Sequence, residues 1–190
     1  MFKSIMKIYI LRHERRGSDN SYNSCLTKEG LSNSISLVNI LENLNIKTIF
    51  CSPFIRAIQT IHPYSTKFNI PINIDNSIIE YISNPKMLDN YKHTIFTDKE
   101  KEYWNINKNY ISSIPIENLS MGKNNEYETI QDIKKRTFIF KNHLYNNSKI
   151  GGNILIVSHK TTLDYLWRHF YSTKRELEMG EFDLLCHLKI

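Results

Sequence analysis

Short apolar runs of strand length alternate with stretches of helical spacing along this chain, and that alternation constrains the fold more than any other feature. Met6 to Leu11, Ile46 to Cys51, Ile70 to Ile74, Asn153 to Val157 and Phe182 to Leu188 read as strands. Thr27 can cap a helix whose apolar positions Leu31, Ile35, Val38, Leu41 and Leu44 fall near helical spacing. Ser52-Pro53 supplies an N-cap and a proline at the first helical position of a helix running to about Lys67. Further helices are expected from Glu128 to about Tyr145, with Ile130, Ile133, Phe138 and Leu144 available for burial, and from Thr162 to about Tyr171. Strands alternating with helices predict an α/β three-layer sandwich, a mostly parallel central sheet with helices on both faces.

Residues 84–125 lack this periodicity and read as a short cap insertion within a single domain over residues 1–190. Its aromatic residues Tyr91, Phe96, Tyr103, Trp104 and Tyr110 are expected to form a small core of the cap itself.

Composition narrows the function classes. No apolar run approaches the ~20 residues of a membrane span. The apolar stretch behind Met1–Lys7 is too short for a secretory signal, so a cytoplasmic location and no membrane partner are expected. Cys25, Cys51 and Cys186 are odd in number and lack C-x-x-C spacing, which argues for reduced, structural thiols rather than a zinc ribbon or redox pair. The net charge is +6, but the lysines are scattered, so no nucleic-acid partner is expected.

In parallel sheets ligands bind beyond the carboxyl ends of the strands. Arg12-His13 follows the first strand, Arg56 lies in the first turn after the second, and Ser158-His159 follows the fourth. Any one of these residues could be a structural side chain. Together they bring two arginines and two histidines to one sheet edge, where a phosphoryl group would be met by charge-assisted bonds worth roughly 1.5–3 kcal/mol each. The helix after Ser52-Pro53 adds its positive end. A neutral imidazole, with an ordinary pKa of about 6.5, can attack phosphorus in line.

The segments Leu11-Arg12-His13-Glu14-Arg15, Leu26-Thr27-Lys28-Glu29-Gly30, Ser52-Pro53-Phe54-Ile55-Arg56-Ala57-Ile58-Gln59-Thr60 and Val157-Ser158-His159 resemble, in order and spacing, those of the histidine phosphatase (phosphoglycerate mutase-like) superfamily. The resemblance implies that His13 becomes phosphohistidine, that Arg12, Arg56 and His159 hold the phosphate, and that no metal or other cofactor is needed. It places a general acid just after the third strand, where Ile78-Ile79-Glu80-Tyr81 offers Glu80, with Glu14 in reserve. Glu128 through Asp132 and Arg136 resembles the E-S…D…R helix of the mutase branch and is read as structural, with Asp132 and Arg136 at i,i+4.

Two departures flank the histidines. Relatives have glycine after the first and a small residue after the second, where this chain has Glu14 and Lys160. Glu14, Arg15 and Lys160 are therefore candidate modifiers of the pocket, and Glu14 and Lys160 are expected to pair across its mouth. The R-H-x-x-R opening and Ser158 to Asp164 look closer to the branch with Sts-type protein tyrosine phosphatases, and the short cap favours a phosphatase over a mutase. The expected function is a metal-independent phosphomonoester hydrolase acting on a small phosphorylated substrate or a phosphoprotein. The alternatives are a catalytically impaired phospho-ligand binding module and a phosphoglycerate mutase-type phosphotransferase. A metal-free nuclease using His13, His159 and Lys160 leaves Ser52 to Thr60 unexplained.

Overall fold

Each central strand sends alternate side chains to opposite faces, and the helices cover both. The computed structural model describes residues 5–19, 21–83, 87, 96–119, 127–147 and 152–189. The strands are β1 (Ile5–Arg12), β2 (Ile46–Cys51), β3 (Ile72–Ile74), β4 (Asn153–Ser158) and β5 (Phe182–Lys189). They form one sheet in the order β3-β2-β4-β1-β5, parallel except for β5, which runs antiparallel to β1. The helices are α1 (Lys28–Leu41), α2 (Ile55–Phe68), α3 (Asp98–Tyr103), α4 (Ile130–Asn147) and α5 (Lys160–Arg168).

Tyr9, Leu11, Ile49, Cys51, Leu155 and Val157 pack on one face against Leu37, Val38 and Leu41 of α1 and Ala57, Ile58 and Ile61 of α2. Ile8, Ile10, Phe50, Ile154 and Ile156 pack on the other against Phe140 and Leu144 of α4 and Leu163 and Leu166 of α5. The α/β three-layer sandwich is present. No described helix is long and apolar enough to cross a membrane, and the three cysteines are free.

Several expected details differ. Helix α2 starts at Ile55 with Phe54 as its N-cap, not at Pro53. The Ser52 amide donates to the Val157 carbonyl at 2.9 Å, which continues the sheet ladder one residue and keeps this stretch extended. Helix α1 turns Gly30, Ser34, Leu37, Val38 and Leu41 inward, leaving Leu31 and Ile35 exposed. Gly30 decides that rotation: a Cβ there would lie 2.2 Å from the Arg15 carbonyl oxygen, so only glycine lets the helix approach. In α4 the buried stripe is Ile133, Arg136, Thr137, Phe140 and Leu144, while Ile130 and Phe138 are exposed. Two polar residues on the stripe hide it from a count of apolar positions.

Among the described residues, the aromatic side chains of the insertion other than Tyr103 join the two main cores rather than building one of their own. Phe96 and Trp104 pack on the core beneath α1 and α2, whereas Tyr110 packs on the opposite core with its ring 5.6 Å from Phe50. Tyr103 is exposed, and Tyr91 lies outside the described residues, as do 84–86, 88–95 and 120–125 of the expected cap. The Ile72 amide donates to the Asn105 carbonyl at 2.8 Å and the Asn107 amide to the Ile72 carbonyl at 2.9 Å, so this stretch shields the β3 edge.

Candidate active site

The three central strands β2, β4 and β1 end side by side, and their ends carry the chemistry. Arg12 pairs with Ser158 and Cys51 with Val157 in register. The His13 amide donates to the Ser158 carbonyl at 3.0 Å. The rings of His13 and His159 come together with centroids 5.0 Å apart. Both are buried.

Hydrogen bonds set the two tautomers. His13 Nδ1 lies 2.7 Å from the Glu14 carbonyl oxygen, which can only accept, so Nδ1 carries the proton and Nε2 the lone pair. His159 Nε2 lies 2.8 Å from Ser52 Oγ, and that oxygen already accepts from the Phe54 amide at 3.4 Å. The Ser52 hydroxyl can donate to Nε2, and the Glu80 carboxyl oxygen 3.4 Å from Nδ1 favours the proton there. Burial, reinforced by Arg56, pushes the His13 pKa down to about 3 and drives that of His159 well below the usual range. Both rings are neutral at physiological pH.

Arg56 is buried at the start of α2, its Nη1 donating to the Ser21 carbonyl at 2.9 Å. Its Cζ lies 4.5 Å from the Phe54 ring centroid. Burial lowers its pKa to about 10, against the opposing pull of Glu80, so it stays charged. Arg12 Nη1 donates to the Leu177 carbonyl at 2.9 Å. Arg12 Nε, Arg56 Nε and His159 Nδ1 are buried and make no hydrogen bond within the described protein. These unpartnered atoms belong to two arginines whose charges act on both imidazoles and to the ring beside His13, a set that suits an oxyanion.

Glu80 follows β3, as expected. Its Oε2 lies 3.4 Å from His159 Nδ1 and 3.7 Å from Arg56 Nη2. Burial raises its pKa despite Arg56, which favours the protonated acid. His13, Glu80 and His159 also bring possible metal-ligating atoms within 4.8 Å of one another. The Arg12 and Arg56 charges beside them favour an anion over a cation there. A cavity of about 260 Å³ lined by Arg12, Arg16, Glu80, Tyr81, Lys160 and Thr161 adjoins the histidines through Glu80.

The structure corrects the expected pair across the mouth. Lys160 Nζ meets Glu176 at 2.6 Å, whereas Glu14 is buried and accepts from Asn33 Nδ2 at 3.3 Å. Asn33 belongs to α1 on one face of the sheet and Lys160 to α5 on the other, so the two side chains diverge. Arg15 pairs with Glu29 at 3.0 Å on the exposed surface and does not line the cavity. Arg136 pairs with Glu128, while Asp132 instead accepts from the Thr129 amide at 2.9 Å at the helix start.

Four residues outside the expected site matter here, among them Ser52, expected as a helix cap, and Arg136, expected as structural. Arg16 lines the cavity, and Ser52 orients His159. Thr60 Oγ1 accepts from the Glu14 amide at 2.9 Å, and Arg136 holds the Glu80 loop. Ser52 and Thr60 stand inside the matched SP-x-x-RA-x-QT stretch, which was the available signal. Gln59 of the same stretch accepts from the Leu26 amide at 2.8 Å.

The model of the histidine phosphatase superfamily (branch 1) matches residues 8–184. The chain belongs to the histidine phosphatase superfamily. Among solved structures, it is similar to the ecdysone phosphate phosphatase from Bombix mori, determined with tungstate. That match has a TM-score of 0.69 at 14% identity and covers 97% of this chain and 95% of that one. The alpha-ribazole phosphatase from Shigella flexneri matches with TM-score 0.67 and 19% identity over 93% and 88% of the two chains. The phosphoglycerate mutase from Bacillus anthracis matches with TM-score 0.67 and 15% identity over 99% and 92%. These likenesses establish a histidine phosphatase fold. No curated protein matches the chain.

Proposed function

We propose that this chain is a metal-independent phosphomonoester hydrolase working through phosphohistidine at His13. The observation that carries the reading is the set of unpartnered donors, Arg12 Nε, Arg56 Nε and His159 Nδ1, together with the ring whose Nε2 bears a lone pair. The phosphate dianion takes those donors and displaces Glu80 from Arg56 and His159. His13 Nε2 attacks phosphorus, the N–P bond forms, and the ester P–O bond breaks. Glu80, whose pKa is raised by burial, acts in its protonated form and gives its proton to the leaving oxygen. Water then attacks phosphorus, Glu80 takes its proton back, and phosphate and neutral His13 are released.

The phosphatases among the structural neighbours support hydrolysis, with a small phosphorylated compound or a phosphoprotein as substrate. Three free cysteines suit a reducing cytoplasm, and one sheet with two covering layers suits a single domain over residues 1–190. Turnover of p-nitrophenyl phosphate measured beside inorganic phosphate affinity tests the reading. Turnover inhibited by phosphate is expected. Phosphate binding without turnover would make the chain a binding module instead, and phosphoryl transfer between phosphoglycerates faster than hydrolysis would make it a mutase.

A further inference from the structure

Four consecutive backbone carbonyls leading to Glu80 are each captured by a side chain from elsewhere in the fold. The Ser77 carbonyl accepts from Arg136 Nη1 at 2.7 Å and the Ile78 carbonyl from Ser158 Oγ at 2.7 Å. The Ile79 carbonyl accepts from Thr162 Oγ1 at 2.6 Å and the Glu80 carbonyl from Arg136 Nη2 at 3.3 Å. Arg136, Ser158 and Thr162 are all buried. Loops ordinarily leave such carbonyls to solvent. Here one helix, α4, and the β4–α5 junction that carries His159 supply every donor.

The clamp is itself anchored. Arg136 is paired with buried Glu128, whose Oε2 also accepts from the Ile82 amide at 3.2 Å, just past Glu80. Upstream, Asp75 caps the turn by accepting from the Ser77 amide at 2.9 Å and is held by Tyr110 Oη at 2.5 Å and the Ser113 amide at 2.8 Å. The segment from 75 to 82 is thus fixed at both ends and along its length, and it presents the half-buried Glu80 carboxyl group beside His159.

We infer that Arg136, with Ser158 and Thr162, is a positioning device that fixes the Glu80 carboxyl group relative to the two histidines. This rests on Glu80 being the acid of the proposed reaction. The consequence separates it from a merely structural role. A general acid matters for a basic leaving oxygen and little for p-nitrophenolate, which departs unaided. A displaced acid therefore selectively lowers kcat/KM, which reports phosphoryl transfer to His13 and leaves out the later water step that Glu80 also serves.

The test compares kcat/KM on glycerol phosphate and on p-nitrophenyl phosphate for Arg136→Lys, Ser158→Ala and Thr162→Val, with Glu80→Gln as reference. Arg136→Lys keeps the charge opposite Glu128 but loses the fork onto two carbonyls. Full general-acid catalysis contributes about 10²–10⁴-fold, so a misplaced acid should lower kcat/KM on glycerol phosphate at least about tenfold, with that on p-nitrophenyl phosphate changed less than about threefold. Equal losses on both substrates, or no loss on either, would overturn the inference. If Arg136→Lys does not fold, Thr162→Val and Ser158→Ala carry the same comparison without a buried charge at stake. Selective loss in Glu80→Gln alone overturns the clamp and spares the acid, whereas no selective loss in Glu80→Gln removes the acid assignment and the clamp with it.

Discussion

The Thr60 hydroxyl joins Arg56 to Glu14: it donates to the Arg56 carbonyl at 2.7 Å and accepts from the Glu14 amide at 2.9 Å. One buried side chain thereby links the start of α2 to the backbone beside His13. Thr60→Val keeps the shape but leaves the Glu14 amide unpaired, at a cost of about 1–3 kcal/mol. Urea unfolding should show that loss, and phosphate affinity should fall as His13 shifts. Unchanged stability and affinity would mean that this link holds nothing in place.

Acid should unfold the protein through its histidines. The His13 pKa falls from 6.5 to about 3 in the folded state, so between those values the unfolded chain binds more protons. Stability is then fully present above about pH 6.5 and declines as pH drops toward 3, by about 1.4 kcal/mol per pH unit for each such histidine. The raised pKa of Glu80 acts in the opposite sense, losing stability as pH rises, so the difference between variants is the useful quantity. Unfolding free energies measured from pH 7 to 4 should slope less steeply in His13→Asn than in the unaltered protein. Equal slopes would remove the buried neutral imidazole.

Glu80 should also shape the rate. Its pKa lies above the ordinary glutamate range, and the acid must be protonated to act. The kcat/KM for glycerol phosphate should decline on the alkaline side as Glu80 ionises, while that for p-nitrophenyl phosphate stays level across the same range. Glu80→Gln should abolish the difference between the two profiles. Persistence of the same decline in that variant would assign it to another group.

Glu14 and Lys160 should behave independently. Their side chains lie on opposite faces of the sheet, so a double-mutant cycle of Glu14→Gln and Lys160→Ala should give a coupling within about 0.5 kcal/mol of zero. Gly180 is the sensitive neighbour. It has φ +75°, and a Cβ there would lie 2.0 Å from Glu14 Oε1. Gly180→Ala should cost about 1–2 kcal/mol or more from the left-handed backbone alone, read by urea unfolding. A neutral substitution would contradict the left-handed backbone at Gly180.

Much of the fold was legible because strand alternation and helix spacing are local properties. The histidines and arginines converge because β2, β4 and β1 are neighbours, and their motifs mark those strand ends. Side-chain direction was not legible. Glu14 and Lys160 flank the two histidines in sequence yet point to opposite faces, and Arg15 turns to Glu29 while Arg16 lines the cavity. Ser52 looked like a helix cap and serves His159 instead, because its backbone stays in the sheet ladder. Arg136 was hidden for another reason: a buried arginine on a helix stripe reads as a polar interruption until its carbonyl partners are known.

The covalent step at His13 is tested most directly by rapid quench with ³²P-labelled phosphomonoester, followed by acid and alkali treatment of the trapped protein. The expected result is one acid-labile, alkali-stable phosphoryl group per chain, absent from His13→Ala and still formed in Glu80→Gln with p-nitrophenyl phosphate. Label retained in His13→Ala, or steady turnover by the unaltered protein with no label trapped at any time, would contradict the phosphohistidine pathway.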